Sequence, residues 1–281
     1  MAFFAPPIMI AAAAAFAGLG AAPTAPTPVA PAGHVEQQML ASSLYGRDRR
    51  LWVYTPSGYS PNGDRVYDLL VVFDGRMYLE DIALPAILEK LAAEGKAGPF
   101  VAVLLDNATS TERLEDLGNH ERFAAFLAEE VLEWVRRRWK VTRDPHRTIV
   151  AGASAGGLAA AYVAFQRPDL FGNVLSQSGA FRRGNEGSND APFEWLTSRY
   201  AASPRRDVRF WVEVGSRESR GALGGAAPSI LESNRRFRDA LRAKGYAVTY
   251  AEVPEGEHDV SLWQNRLPAG ISALATRAGS P

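Results

Sequence analysis

Gly152-Ala-Ser-Ala-Gly156 sets one serine among four small neighbours. This G-x-S-x-G spacing lets a backbone close into a sharp turn that presents a hydroxyl. A serine hydroxyl is a weak nucleophile and needs a base within hydrogen-bond reach. The chain has four histidines, His34, His120, His146 and His258. His34 falls in an N-terminal linker, and His120 opens a helical stretch as an exposed first-turn residue. His146 precedes the strand that runs into Ser154, so it belongs at the other end of the sheet. Only His258 follows Ser154, in Pro254-Glu-Gly-Glu-His258-Asp259, just past the last strand-like run. A third group, a carboxylate, must hold the imidazole in one tautomer. Glu218, at the end of Gly215-Ser-Arg-Glu218, is the choice. Glu213 is expected inside the preceding strand, at the core edge or facing solvent, and Asp259 is expected to point away from the ring. Such a set performs acyl transfer through a covalent serine intermediate. The oxyanion formed on attack needs two backbone N–H donors. Ala155, after the nucleophile, is one; Arg76, in Phe73-Asp-Gly-Arg76 beyond an earlier strand, is the other. Cysteine is absent, which removes thiolate chemistry and leaves serine as the candidate for covalent work.

These groups need a scaffold, and the hydrophobic pattern supplies one. Tyr67–Phe73, Phe100–Leu105 and Arg147–Ala151 are short apolar runs of the kind buried on both faces of a parallel sheet. Arg50–Tyr54, closed by Thr55-Pro-Ser-Gly58, is a further strand, as are Asn173–Ser176, Val208–Val214 and Ala247–Val253. Helical stretches are expected at about Asp81–Glu94, Glu121–Trp139, from the serine to about Gln166, and Ser229–Lys244. Strands alternating with helices give an α/β fold with a mostly parallel central sheet and helices on both faces. Ser154 then stands between a strand and a helix, with the helix N-terminus favouring negative charge beside it. Arg182–Ser203 is irregular and reads as a small lid or a plain surface insertion.

The chain has 281 residues, 47% hydrophobic, enough for a large core. Lys plus Arg and Asp plus Glu number 31 each, and no basic stripe is present, so no nucleic-acid partner is expected. Ile8–Ala22 is an alanine-rich apolar run of roughly signal-peptide core length, too short for a stable membrane span, and a Pro/Ala/Thr linker follows. Residues 1–35 are therefore expected to be a signal-like segment and linker, and 36–281 the catalytic domain. A periplasmic or secreted location follows, with a cytoplasmic one as the alternative because no Lys or Arg precedes Arg47. The expected partner is a small-molecule ester, with no metal or cofactor, in a monomer or weak homodimer.

Several stretches resemble the enterochelin (ferric-siderophore) esterase-like branch of the esterase family in the α/β-hydrolase superfamily. They are Arg50-Leu-Trp-Val-Tyr-Thr-Pro56, Val72-Phe-Asp-Gly75, Val103-Leu-Leu-Asp106, Gly152–Gly157, Leu175-Ser-Gln-Ser-Gly179 and Gly256-Glu-His-Asp259 with Trp263. Arg113, Asp116-Leu117 and Phe123 are similar to an R-x-x-E-L-x-x-N-x-x-F signature, with Asp116 in place of Glu and His120 where Asn is usual. The resemblance implies an α/β-hydrolase fold and a serine esterase, with siderophore-type esters as the leading substrate class. Feruloyl or acetyl carbohydrate esterases and acyltransferases share the same triad, and a non-catalytic binding protein of this fold is the remaining alternative. An anionic iron–catecholate ester calls for cations at the mouth of the site. Arg113, Arg182 and Arg183, with Trp263, are the candidate substrate contacts; Arg76 and Arg217 also lie near the same edge.

Overall fold

The computed structural model describes Met1 and residues 33–184, 193–221 and 227–276. The run at Ile8–Ala22 and the middle of the Arg182–Ser203 segment lie outside the described residues. Among the described residues, no helix is long and apolar enough to cross a membrane.

Among the described residues, eight strands form one sheet in the order β1-β2-β4-β3-β5-β6-β7-β8. β1 (His34–Ser42), β2 (Arg47–Thr55) and β4 (Phe100–Leu105) pair antiparallel in turn. β3 (Asp68–Val72) pairs parallel with β4 and with β5 (Thr148–Ala153). β6 (Asn173–Gln177), β7 (Arg209–Gly215) and β8 (Ala247–Val253) extend the parallel part. All parallel strands therefore end at one edge, where the loops carrying Ser154, Glu218 and His258 emerge.

The continuous apolar runs are explained by a core on each face. In β3, Leu69 and Val71 pack on one side with Val103, Val150 and Val212, and Leu70 and Val72 on the other with Leu104, Ala151 and Leu175. The first face is covered by α6 (Ala155–Gln166) and α8 (Ile230–Ala243), together with a helical run from α4 (Glu121–Ala125) through a wide π-helical turn to α5 (Leu132–Arg138). The second is covered by α1 (Gly75–Glu80), α2 (Leu84–Ala93) and α9 (Val260–Ala275). Ser229 starts α8 with a capping box, its hydroxyl accepting from Glu232 N at 3.1 Å while the Glu232 carboxylate accepts from Ser229 N at 3.0 Å.

The structure departs from the sequence expectations in several places. The helix expected at Asp81–Glu94 is present as α2, which starts three residues later, at Leu84, after a left-handed Ala83 with φ 57°. Pro85 sits in the first turn of α2, where a missing N–H costs nothing; deeper in a continuous helix it would break the ladder. α1, α3 (Ser110–Leu117), α7 (Trp195–Ala202) and α9 were not anticipated, and α7 occupies the end of the segment read as irregular. His34 belongs to β1 rather than to a linker. Glu213 neither faces solvent nor lies at the core edge: it is fully buried, accepting from Gln177 Nε2 at 2.6 Å and Trp211 Nε1 at 2.8 Å.

Candidate active site

Ser154 sits between β5 and α6 with φ 55° and ψ −117°, a backbone region that residues with a Cβ seldom occupy. A strain of this kind costs about 1–3 kcal/mol and persists only where the surroundings hold it. Here Ser154 N donates to Gln177 O at 2.9 Å, and Ser154 O accepts from Ala180 N at 2.9 Å and Leu158 N at 3.2 Å. Glycine is required at 152, because a Cβ there would lie 2.5 Å from the Gly156 carbonyl carbon. The small neighbours therefore allow the bend to close.

His258 leaves the loop after β8, directly before Asp259. That aspartate is tied to the helix it starts, its Oδ1 accepting from Leu262 N at 2.8 Å, so its carboxylate caps α9. His258 Nε2 lies 3.0 Å from Ser154 Oγ, and Nδ1 lies 2.5 Å from Glu218 Oε2. A carboxylate only accepts, so the proton on a neutral ring sits on Nδ1, and Nε2 is left to accept from the serine hydroxyl. The other Glu218 oxygen accepts from Ser178 Oγ at 2.6 Å and Gly215 N at 2.7 Å. Its side chain is 1% exposed against 38% for the histidine, so the acid is enclosed while the ring reaches the cleft.

The serine, the histidine and the acid thus meet at one point from three loops. The other candidates do not all join them. Ala155 is the first residue of α6, and Arg76 the second of α1, so both backbone N–H groups fall in a helical first turn with no partner inside the helix. These two turns adjoin, since a Cβ on Gly156 would stand 3.3 Å from Asp74 Oδ2. The Arg76 side chain turns aside toward Asp106, 3.9 Å away. Arg113 is engaged with Asp74: Nε at 2.5 Å from Oδ1 and Nη2 at 2.8 Å from Oδ2. This hydrogen bonding raises the guanidinium above its ordinary value, burial opposing. Arg182 and Arg183 line the cleft beside Ser154, and burial there lowers Arg183. Trp263 does not line it. Its ring is buried edge-on to His258, centroids 5.2 Å apart, and Nε1 donates to Ser178 Oγ at 3.1 Å. An indole with a donor is as well suited to a wall behind the histidine as to a substrate contact. His120 lies at the start of α4, where burial lowers it, with Arg122 second. Asp116 is buried against Arg49 and accepts from Tyr45 Oη at 2.6 Å, so that departure from the signature serves the core.

Sequence reasoning missed the groups behind the three. Ser178 stood only within the Leu175–Gly179 resemblance, and its φ of 50° and contact with Glu218 follow from the β6 turn. Gln177 joins three elements, accepting from Tyr78 Oη at 2.9 Å and donating to Glu213 and to Trp263 O at 2.8 Å. Burial raises Glu213, with hydrogen bonds from Gln177 and Trp211 opposing. Nothing local marks Gln177 or Glu213; a polar residue inside an apolar strand is the available signal.

The strand order, the strained serine between strand and helix, and the late histidine define an α/β-hydrolase fold. Residues 42–274 match the family described as "Putative esterase", and the chain belongs to that family. It is 30% identical over 244 residues to an iron(III) enterobactin esterase of Dickeya dadantii (strain 3937), a match covering 84% of this chain and 53% of that protein. The chain thus spans about half the length of the curated relatives it matches. A crystal structure of the enterobactin esterase from Shigella flexneri, in the presence of 2,3-di-hydroxy-N-benzoyl-serine, is similar with a TM-score of 0.74 and 28% identity, covering 88% of this chain and 60% of that one. A ferulic acid esterase from Anaeromyces mucronatus in complex with ferulic acid has a TM-score of 0.70 at 18% identity, covering 89% and 94% respectively; this likeness shows the fold alone.

Proposed function

We propose that this protein is a serine esterase in which Ser154 attacks a carboxylic ester, His258 takes its proton, and Glu218 holds the ring. The observation that carries this reading is the line of contacts from Glu218 through His258 to Ser154 Oγ. Attack forms the Oγ–carbonyl bond and passes the hydroxyl proton to Nε2; collapse of the tetrahedral adduct returns that proton to the departing alkoxide. Water then repeats the sequence on the acyl-enzyme, with His258 again as base, and the acid leaves. The N–H groups of Ala155 and Arg76 bind the oxyanion, a role supported by the two adjoining helical first turns.

The leading substrate is an anionic aryl ester of the siderophore type. Two observations support it. The cleft at Ser154 has a volume of about 990 Å³, and among the described residues Arg113, Arg182, Arg183, Arg217 and Arg220 line it against Glu218, Glu255 and Glu257 and the Asp74 that Arg113 grips, five guanidiniums to four carboxylates. A cleft with a surplus of one charge concentrates ligands of the other. The relatives named iron(III) enterobactin esterases point the same way. The test is a panel of purified protein on ferric and iron-free catecholate trilactones, methyl ferulate and acetylated xylan. Faster turnover per enzyme on the trilactones is expected; preference for methyl ferulate or acetylated xylan would move the protein to the carbohydrate-esterase reading.

A further inference from the structure

Arg113 looks like a substrate contact by sequence, yet its guanidinium is committed elsewhere. It reaches from α3 across to Asp74, the residue between β3 and the first turn of α1, and grips both carboxylate oxygens, at 2.5 Å and 2.8 Å. A two-point contact of a planar fork on a carboxylate fixes orientation as well as distance. Asp74 has φ 55° and ψ 48°, a left-handed conformation taken up by a residue with a side chain. Gly75 cannot yield space, since a Cβ there would lie 2.8 Å from the Leu104 carbonyl carbon. Asp74 Oδ2 also stands against Gly156 of the turn that carries Ser154. Four residues further on, α1 is held a second time, where the buried Tyr78 donates to Gln177 Oε1 at 2.9 Å. The segment bearing the Arg76 N–H is thus fastened at Asp74 from α3 and at Tyr78 from β6, and Arg113 supplies the fastening nearer the serine.

We infer that Arg113 is a positioning residue: through its two-point grip on Asp74 it sets the Phe73–Arg76 turn so that the Arg76 N–H meets the oxyanion. The inference rests on the esterase reading above. It assigns the arginine to every ester the enzyme hydrolyses, whatever the ester's charge. A substrate contact would matter only to anionic esters, and chiefly in KM; a misplaced oxyanion donor lowers kcat on all of them.

The test uses the full chain, p-nitrophenyl acetate as the neutral ester and mono-p-nitrophenyl succinate as the anionic one, with a fluorophosphonate to titrate reactive serine. Arg113→Met is expected to lower kcat per titrated site about 10–100-fold on both esters, short of the roughly 10²–10³-fold cost of losing an oxyanion donor, because the donor is displaced and not removed. KM for the acetate stays within about twofold. Asp74→Asn gives the same signature, and the double variant is no slower than the slower single one, because both break one contact. Arg113→Lys, which keeps the charge and loses the fork, recovers only part of the rate. An unchanged kcat on the acetate with KM raised on the succinate alone overturns the inference, as do additive losses in the double variant or full recovery in Arg113→Lys. A fall in titratable serine that accounts for the whole rate loss also overturns it, since the arginine would then be serving folding. A wild-type chain inert to both esters and to the fluorophosphonate removes the esterase reading itself, and the clamp's role with it.

Discussion

The molecule carries a histidine paired with an acid at both ends of its parallel sheet, and the two pairs differ in everything but composition. At the carboxyl end, His258 and Glu218 stand 2.5 Å apart and the acid side chain is 1% exposed. At the amino end, His146 and Asp207 stand 3.3 Å apart with side chains 50% and 77% exposed. Glu218 is gripped by Ser178 and Gly215, so one oxygen is left for the imidazole. Asp207 lies just before β7, and His146 lies in the turn before β5, in open solvent. The contrast teaches that residue types alone do not assemble the geometry a proton relay requires, which is a held acid and a hydroxyl within reach of the ring. Among the described residues, no serine hydroxyl is hydrogen-bonded to His146 at the amino end.

The sharpest way to test this contrast is to remove the hydroxyl. Ser154→Ala is expected to lower kcat for ester hydrolysis on the order of 10⁶-fold, as for a serine acting within such a unit. Initial rates on p-nitrophenyl acetate, corrected for the uncatalysed reaction, measure it. Turnover near that of the parent would leave the carboxyl-end cluster with no claim over the amino-end pair.

Next in size is the held acid. Glu218→Gln keeps the shape but presents either an amide N–H to His258 Nδ1 or one acceptor shared among three donors. The ring can then settle in the tautomer that donates toward Ser154, and kcat is expected to drop about 10⁴-fold. Steady-state kinetics with circular dichroism, to show the variant folded, decides the point. A loss below about tenfold would mean that Glu218 merely fills space.

The carboxyl end of the sheet was more legible in sequence than the rest of the chain, for a physical reason. The serine turn demands small residues at fixed spacing, and strands buried on both faces are largely apolar runs, so β3, β4, β5 and the serine loop leave strong marks. β1 leaves almost none: along His34–Ser42 the inner face is Glu36, Gln38, Leu40 and Ser42, mostly polar, and the exposed face carries Met39 and Ala41, so burial alternates but hydrophobicity does not. The start of α9 is masked by its place directly after His258, and its interior Pro268 also argues against a helix. Arg113 and Trp263 had the right types at the right end of the sheet. Which way a side chain points depends on partners far off in sequence, Asp74 for the arginine and Ser178 for the indole. Spacing along the chain carries no record of those contacts.

The smallest effect belongs to the amino-end pair, and its smallness is what completes the contrast. His146→Ala and Asp207→Asn each remove one partner of an exposed pair, whose attraction is screened by water and salt and offset by the entropy of holding two side chains together. Exposed pairs of this kind contribute about 0–1 kcal/mol. Both variants are therefore expected to unfold within roughly 0.5 kcal/mol of the parent in urea, and to hydrolyse p-nitrophenyl acetate at the parent rate. The backbone contact that shapes this turn, His146 N donating to Asp144 Oδ1 at 2.8 Å, does not use the imidazole and survives the substitution. A loss of turnover in either variant, with stability unchanged, would mean that the amino end communicates with Ser154 along β5. Burial of the acid would then no longer suffice to separate the pair proposed to work from the one expected to be idle.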